Sequence, residues 1–411
     1  MGPVYVDLNH SPLEPQLRFR VLVGLCGVMM LVLGSLRGEA GAAEWSAAPA
    51  LSVKGLYNSN LLLSNGNNEV WGQWVSPGVK FKGSTESLEV AGSVKSDFVQ
   101  YYGSTDRSLT NLYFPLQASY RSDRNTFGFD GGFTRDNTLQ GELLQTGLVL
   151  AFTQRNLLTA APSWKFGITE RLSWQSGYQY TNVQYEDGVR VGLVNYQVQA
   201  VNTGMTYNLG ERDQLQLTGE YTSFRIPSRM QDSTYYGAQA GWTHNFRQDL
   251  TVSISGGPRF VTSTQDVPGG SLSAHSTVWV FKGTFRKSFE RAAIQIDGSR
   301  EINPSGIGRL VQTDRVAASL SHNLTENVTA ALNGSLYFVS GVVTDPSIAP
   351  VQQSRFSSVS PSVSWRFSEW WTLDVAYTYS ERAVDDLNQW NFANSTFVML
   401  TYGGPKWSVS R

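Results

Sequence analysis

Apolar and polar residues alternate with a period of two along most of the chain. The clearest case runs from Pro162 to Tyr180. Trp164 and Phe166 alternate with polar residues before a polar turn, and Leu172 and Trp174 do so after it. A period of two gives each arm one apolar and one polar face, so this stretch is predicted to be a β-hairpin.

The same pattern returns from Pro361 to Tyr379 without a gap, and similar segments fill the chain from Glu44 onward. No segment longer than about ten residues has a persuasive helical period. The pattern predicts about eighteen strands, with sixteen as the alternative. They are placed near residues 50–57, 70–82, 88–102, 110–122, 127–136, 157–169, 172–186, 195–209, 214–225, 235–246, 250–260, 275–288, 292–302, 311–324, 328–339, 355–367, 371–382 and 393–402.

Two kinds of connection alternate strictly between these segments. One kind is short and often contains glutamate, as in Thr169-Glu170-Arg171 and Ser368-Glu369-Trp370. The other kind is longer and falls at 58–69, 103–109, 137–156, 187–194, 226–234, 261–274, 303–310, 340–354 and 383–392. Short turns at one end and long loops at the other are typical of an up-and-down, antiparallel, transmembrane β-barrel whose termini lie on the periplasmic side.

A soluble two-sheet sandwich also alternates, so the period alone does not decide between the two all-β folds. Strands of about ten residues and aromatic residues near strand ends favour the membrane barrel. These aromatic residues are Trp164, Trp174, Trp242, Trp279, Trp365, Trp371 and Tyr402. These features favour lipid on the apolar faces and an interior lined by the polar faces.

The N-terminus resembles a secretory signal peptide. Arg18 and Arg20 precede an apolar run from Val21 to Leu36, and residues 40–43 are the small residues that a signal peptidase needs. This pattern predicts a signal peptide over 1–43, a barrel over 44–411 and a location in a Gram-negative outer membrane. Cys26 is the chain's single cysteine, so the mature chain is predicted to form neither a disulfide nor a cysteine-ligated metal site.

Two segments depart from the simple pattern. In 195–209 the apolar parity changes from Tyr196 and Val198 to Met205 and Tyr207, which predicts a β-bulge near 201–203. Segment 143–152 is apolar enough for a strand. Counting it would break the alternation of turns and loops, so it is interpreted as part of a long loop, inside the barrel or on its rim.

The alternation places a set of charged side chains inside the predicted barrel. The basic and acidic candidates are nearly balanced, in keeping with a formal net charge of -1 for the whole sequence. Charges are tolerated in a lumen and costly toward lipid. They therefore line a wet solute path or, alternatively, pair to fill a closed barrel. The candidates are Lys54, Lys80, Lys82, Lys95, Asp97, Asp130, Lys165, Glu220, Lys282, Arg286, Asp297, Glu301, Arg366 and Asp374, with Glu89 as a further acidic one.

Enzymatic and cofactor chemistry finds little support in the sequence. His244, His275 and His322 are the histidines beyond the signal region, and no two of them have metal-ligand spacing. No glycine-rich phosphate cradle is present. The absence of a basic excess gives no reason to expect nucleic acid as a partner. The sequence therefore predicts neither an enzyme, nor a metal site, nor a bound cofactor.

The last predicted strand has the features of an insertion signal. Thr396, Val398, Leu400 and Tyr402 alternate with other residues up to Gly403. An aromatic residue near the end of the final strand is the position that the barrel assembly machinery reads. The predicted partners are therefore this machinery and outer-membrane lipid.

Several of these residues resemble one family, the β-barrel porin type 2 proteins, many of them encoded with exopolysaccharide or exosortase (PEP-CTERM) systems. The resemblance rests on Pro162-Ser163-Trp164 leading to Tyr178 and Tyr180, on its repeat at 361–379, and on Pro77-Gly78-Val79. It implies an outer-membrane barrel that transports solutes, with polysaccharide or its export proteins as partners.

Two other functions remain open at this point. One is a non-conducting structural barrel that scaffolds a partner. The other is the barrel sheath of an electron conduit, which would surround cytochromes supplied by other chains, because the mature chain has no cysteine to attach haem. The sequence thus predicts a porin-like channel that has a water-filled lumen and serves polysaccharide export.

Overall fold

The computed structural model describes residues 44–66, 68–104, 106–139, 152–228, 231–267, 270–342, 351, 353–384 and 389–410. The predicted signal peptide, 1–43, and residues 143–151 of the predicted long loop lie outside these ranges. The described residues form strands joined by turns, with one turn of 3-10 helix at Gly188–Val191. None of their helices is long and apolar enough to cross a membrane.

The chain forms a closed antiparallel barrel of eighteen strands and a short nineteenth strand. The strands are β1 Glu44–Asn58, β2 Val70–Ser84, β3 Leu88–Gly103, β4 Arg107–Ser122, β5 Asn125–Asn137, β6 Gln154–Gly167, β7 Leu172–Tyr185, β8 Tyr196–Asn208, β9 Asp213–Ile226, β10 Gln231–Arg247, β11 Leu250–Val267, β12 Gly270–Ser288, β13 Ala292–Ser305, β14 Arg309–Asn323, β15 Val328–Gly341, β16 Ser354–Trp365, β17 Trp371–Val384, β18 Gln389–Gly403 and β19 Trp407–Ser410. Each predicted strand overlaps one of β1–β18, which confirms the predicted fold; the sixteen-strand alternative is wrong.

The barrel closes where β1 pairs with both β2 and β18. Sequence analysis did not predict β19, which pairs with the first residues of β1, so that Glu44 faces Ser410 and Ala47 faces Trp407. The short connections, such as 168–171, gather at one end of the barrel, here called the turn end. The longer connections gather at the opposite end, the loop end.

The outer face of the barrel is apolar. On β12, Trp279 is 66% exposed and Phe281 is 49% exposed, and many other large apolar side chains at alternate positions are exposed in the same way. A continuous belt of exposed apolar side chains is stable only against an apolar medium. Trp365 and Trp371 lie near the turn end and Trp71 near the loop end, as expected of the two aromatic girdles of a membrane barrel.

The bulge predicted near 201–203 is not present. β8 keeps one unbroken register with β7 and with β9. The apolar parity changes because Tyr196 and Val198 point into the barrel, where they are buried, while Met205 and Tyr207 point outward. The parity change therefore marks an apolar patch in the lumen.

The strands β9 to β12 extend further at the loop end than the sequence predicts. β11 and β12 remain paired up to Val267 and Gly270, although a loop is predicted for 261–274. β13 and β14 also form a tight hairpin over most of the predicted loop 303–310, since Ser305 pairs with Arg309. The wall is therefore taller than expected at β11 and β12.

Candidate functional site

Nearly all the charged residues selected from the sequence share the inward parity of their strands. On β12, for example, Phe281 and Phe285 are exposed outside, so Lys282 and Arg286 face the lumen. The same holds for Lys54, Lys80, Lys82, Lys95, Asp97, Asp130, Lys165, Glu220, Asp297, Glu301 and Asp374, and for Glu89. Arg366 differs because it lies beyond β16 at the turn end, where its backbone N–H donates to the carbonyl of Asn327.

Some of these charges pair with each other. The ammonium of Lys82 lies 2.6 Å from a carboxylate oxygen of Glu89, and that of Lys95 lies 2.9 Å from Asp97. The ammonium of Lys54 instead lies over the rings of Trp74 and Phe397, at 4.8 and 4.6 Å from their centroids. Lys82 and Lys95 are thus neutralised by neighbouring carboxylates, whereas Lys54 is not.

Sequence analysis missed the two most buried ion pairs of the lumen. Arg155 donates to both carboxylate oxygens of Asp136, at 3.0 and 2.8 Å, and is only 2% exposed. Arg259 donates to Glu220 at 2.9 Å and to the amide oxygen of Gln239 at 3.0 Å. Arg155 lies just outside the strand predicted to start at 157, which explains why alternation did not select it.

Two further inward arginines change the charge balance. Arg315 alternates with the outward Val316, and its guanidinium lies 5.5 Å from the ring centroid of Tyr337. Arg382 faces the lumen beside the buried Phe356 of β16. Both lie within predicted strands, so alternation could have identified them. When the residues in ion pairs are set aside, the described inward side chains include more basic than acidic groups. The sequence had suggested a near balance.

The lumen holds a cavity of about 620 Å³ that both polar and apolar side chains line. Its polar lining includes Thr181 and Asn202 from β7 and β8, and Glu301, Thr313 and Arg315 from β13 and β14. The cavity therefore lies between β7 and β8 on one side and β13 and β14 on the other.

An apolar cluster, here called the lumen cluster, lies at the loop end of this cavity. Its inward side chains include Tyr196, Phe224, Ile226, Val261 and Val278 from the barrel wall. Ile302 and Leu310 of the β13–β14 hairpin and Leu193 and Val194 of the β7–β8 loop pack against them. These inward-folded segments narrow the barrel at its loop end.

The β7–β8 loop and the β13–β14 hairpin meet at one glycine. The backbone N–H of Val194 donates to the carbonyl of Gly306 at 2.8 Å. A Cβ atom on Gly306 would lie 2.6 Å from the hydroxyl oxygen of Tyr185 and 2.9 Å from a methyl carbon of Leu193. A side chain at 306 would therefore require Tyr185 and Leu193 to shift.

The histidines make contacts with neighbouring strands. His244 Nδ1 lies 2.7 Å from a carboxylate oxygen of Asp213, which also accepts a hydrogen bond from the indole of Trp242. His275 Nδ1 lies 3.0 Å from the hydroxyl of Thr262. Across the described residues, no group of three or more histidine, cysteine or carboxylate side chains could hold a metal ion.

Among the described residues, one titratable group outside the strands has a shifted pKa. Asp249 lies in the turn between β10 and β11, where it accepts a hydrogen bond from the ammonium of Lys287. This hydrogen bond holds the pKa of the Asp249 carboxyl below its usual range. The pair links β12 to the neighbouring turn.

Comparison with known proteins finds similarity among solved outer-membrane proteins. Pseudomonas aeruginosa OccK2 (OpdF) in complex with glucuronate is 9% identical, with a TM-score of 0.46 over 88% of this chain and 98% of that chain. P. aeruginosa OpdK with vanillate is 11% identical, with a TM-score of 0.46 over 88% and 99%. Acinetobacter baumannii OccAB3 is 9% identical, with a TM-score of 0.42 over 88% and 99%.

No family model and no curated protein matches the sequence. The resemblance to the β-barrel porin type 2 proteins, and the link to polysaccharide export that it implies, therefore stay predictions.

Proposed function

We propose that the protein is a porin-like channel of the outer membrane, with its turn end in the periplasm. The observation that supports this function best is the cavity of about 620 Å³ inside an apolar outer wall, with charged side chains in its lining. A barrel of about eighteen strands is wide enough to leave an aqueous channel. A barrel interior that serves only for stability is not expected to keep a charge such as Arg315, which has no ion-pair partner among the described residues, at this cavity.

The lining indicates small hydrophilic solutes, with a preference for anions. The lumen cluster and the β13–β14 hairpin fill part of the lumen at the loop end, and we infer that they leave a narrow path there. The unpaired basic side chains raise the local concentration of anions in a confined lumen. Export of a polysaccharide chain would require the hairpin to move aside, so the narrow path supports small solutes better than a polymer.

Planar-bilayer recording of the purified, folded barrel tests the proposal. We expect small, steady, ohmic conductance steps, because the path is narrow but polar. Liposome swelling with sugars of increasing size should show entry of monosaccharides and exclusion of long oligosaccharides. A barrel that is folded, as shown by heat-dependent migration on a gel, and that conducts no ions would refute the channel and favour a structural role.

A further inference from the structure

The wall of the barrel is open between β12 and β13 on the loop-end side. The two strands stay paired from the turn end up to Phe281 and Arg300, where the ladder stops. β13 nevertheless continues to Ser305, paired with β14 alone. In the described residues, the part of β12 from Gly270 to Val280 pairs only with β11.

The opening exists because the β13–β14 hairpin leaves the wall and folds into the lumen. Ile302 and Leu310 are buried there in the lumen cluster, which includes Val278 on the inner face of β12. Burial of these two apolar side chains stabilises the inward position of the hairpin. It offsets the ladder hydrogen bonds that the hairpin does not make with β12.

A cavity of about 390 Å³ occupies the opening. Ser255, Tyr235 and Lys282 line it from inside the barrel, and Phe281 and Arg300, whose side chains point outward, also border it. The cavity therefore lies where the two strands separate, and it is here called the passage. It shares Tyr235 and Glu301 with the larger cavity of the lumen, so the passage leads to the solute path.

The outward side chains place the opening near the outer edge of the lipid. Arg300 donates to Asp314 on the outer face at 2.5 and 2.8 Å, and Trp279 is exposed just above. A charge on the lipid face is much more costly at the midplane of the bilayer than near an interface. The eight pairs of the β12–β13 ladder span about 20 Å of the ~25 Å apolar band at the usual tilt.

The passage is polar but carries little net charge. Arg259 is paired with Glu220, and Arg300 is paired with Asp314. That leaves the ammonium of Lys282 and the carboxylate of Glu301, which oppose each other in sign. The rest of the polar lining consists of neutral donors and acceptors from Tyr235, Gln239, Ser255 and Asn303.

We propose that this opening is a lateral portal through which an amphiphile with a neutral, hydroxyl-rich head group, such as an alkyl glycoside, enters the lumen from the outer leaflet. The balanced lining gives hydroxyl groups both donors and acceptors, whereas a bare anion or cation would gain little there. The apolar tail stays outside, against Trp279 and Phe281. The portal does not depend on ion conduction, so it can be tested apart from the channel.

Lipid-borne labelling tests whether the portal exists. Ser255→Cys places a thiol in the portal, and Thr181→Cys is the matched control in the lumen, where β7 is paired on both sides. Both are made in a Cys26→Ala background, which removes the only native cysteine. Each full-length protein is reconstituted in bilayers that contain a lipid with a maleimide head group.

The rate with lipid-borne maleimide is divided by the rate with a water-soluble maleimide for each variant. We expect this ratio to be at least about 100-fold larger for Ser255→Cys, because a membrane-tethered reagent has almost no effective concentration at a site that it cannot span. Equal ratios would overturn the portal, whether both thiols react with the lipid reagent or neither does.

Competition tests the chemistry of the head group. Dodecyl glucoside, laurate and dodecanol are added to the bilayer at equal mole fractions before Ser255→Cys is labelled. We expect the glucoside to slow labelling by about tenfold more than the other two, as a difference of about 1.4 kcal/mol would give. Equal protection by laurate would overturn the neutral sugar-like head group, and equal protection by dodecanol would show that only the tail binds.

Discussion

At the scale of single residues, the most constrained charge in the described barrel is Arg155. Its guanidinium and the Asp136 carboxylate are 2% and 8% exposed, so neither ion keeps much contact with water. Two parallel hydrogen bonds join them across the β5–β6 ladder. A desolvated ion pair of this kind depends on both partners, because removal of either one leaves the other charge buried and unpaired.

We therefore expect Arg155→Met to lower the free energy of unfolding by about 3–5 kcal/mol. The double variant Arg155→Met/Asp136→Leu should recover most of this loss, since it removes the buried carboxylate as well. Reversible urea unfolding in lipid vesicles, followed by tryptophan fluorescence, measures both effects.

The matched control is Arg225→Met, at an ion pair that faces outward. Arg225 and Asp232 are 58% and 52% exposed and lie 3.2 Å apart. Exposed pairs contribute about 0–1 kcal/mol, so this variant should unfold almost as the parent does. Equal losses at Arg155 and Arg225 would contradict the importance assigned to burial.

At the scale of elements, β8 shows what alternation reveals and what it hides. Its outward Met205 and Tyr207 and its inward Tyr196 and Val198 produce the parity change that predicted a bulge. Alternation records whether a face is apolar, and not which side of the barrel that face occupies. In this strand the inward side chains are apolar in the first half and the outward side chains are apolar in the second half. The change of parity is therefore real, but the predicted bulge is wrong.

The β13–β14 hairpin is the element that most directly controls the width of the path. We expect Gly306→Leu to displace the hairpin, because even a Cβ atom at 306 would overlap the Tyr185 hydroxyl and Leu193. The displaced hairpin should leave a wider loop end and larger single-channel conductance steps. Planar-bilayer recording measures the change.

Gly298→Leu serves as the control for this prediction. Gly298 lies on the outward face of β13, and no atom lies within 4 Å of a Cβ built there. A leucine at this position adds apolar surface toward lipid and should leave the conductance unchanged. If Gly306→Leu also left it unchanged in a folded barrel, the hairpin would not limit the path.

At the scale of the whole molecule, the strand order was predictable and the filling of the lumen was not. Period-two alternation and the lengths of the connections were enough to place β1 to β18, because both are local properties of the chain. The contact between Val194 and Gly306 joins segments that are far apart in sequence. Neither segment has a hydrophobic period from which this contact could be predicted. β19 was missed because four residues are too few to show alternation.

The same reasoning explains the difference in lumen charge. Alternation selected Lys282 and Glu301 as inward candidates, and both share the inward parity of their strands. It could not show that Arg155 and Arg259 are neutralised by Asp136 and Glu220, since cross-strand pairing depends on register. The pairing of charges is therefore a property of the closed barrel, and it determines which charges remain to act on solutes.

The unpaired charges of the lumen lead to the prediction for the whole channel. Lys80, Lys165, Lys282 and Arg315 face the lumen, and none has an ion-pair partner among the described residues. We expect a reversal potential that shows preference for chloride over potassium in a gradient of KCl at low concentration. Lys282→Glu/Arg315→Glu should weaken or reverse this preference, because both side chains line the cavities at the centre of the path.

The preference for chloride over potassium should also decrease as the KCl concentration rises, since the screening length falls from about 10 Å at 0.1 M to about 3 Å at 1 M. Arg225→Glu changes the net charge in the same direction on the outer face. It should leave the reversal potential unchanged, because its charge lies outside the path. If it shifted the potential as much as the lumen variant does, selectivity would follow the net charge of the protein, and the lumen residues would not be its source.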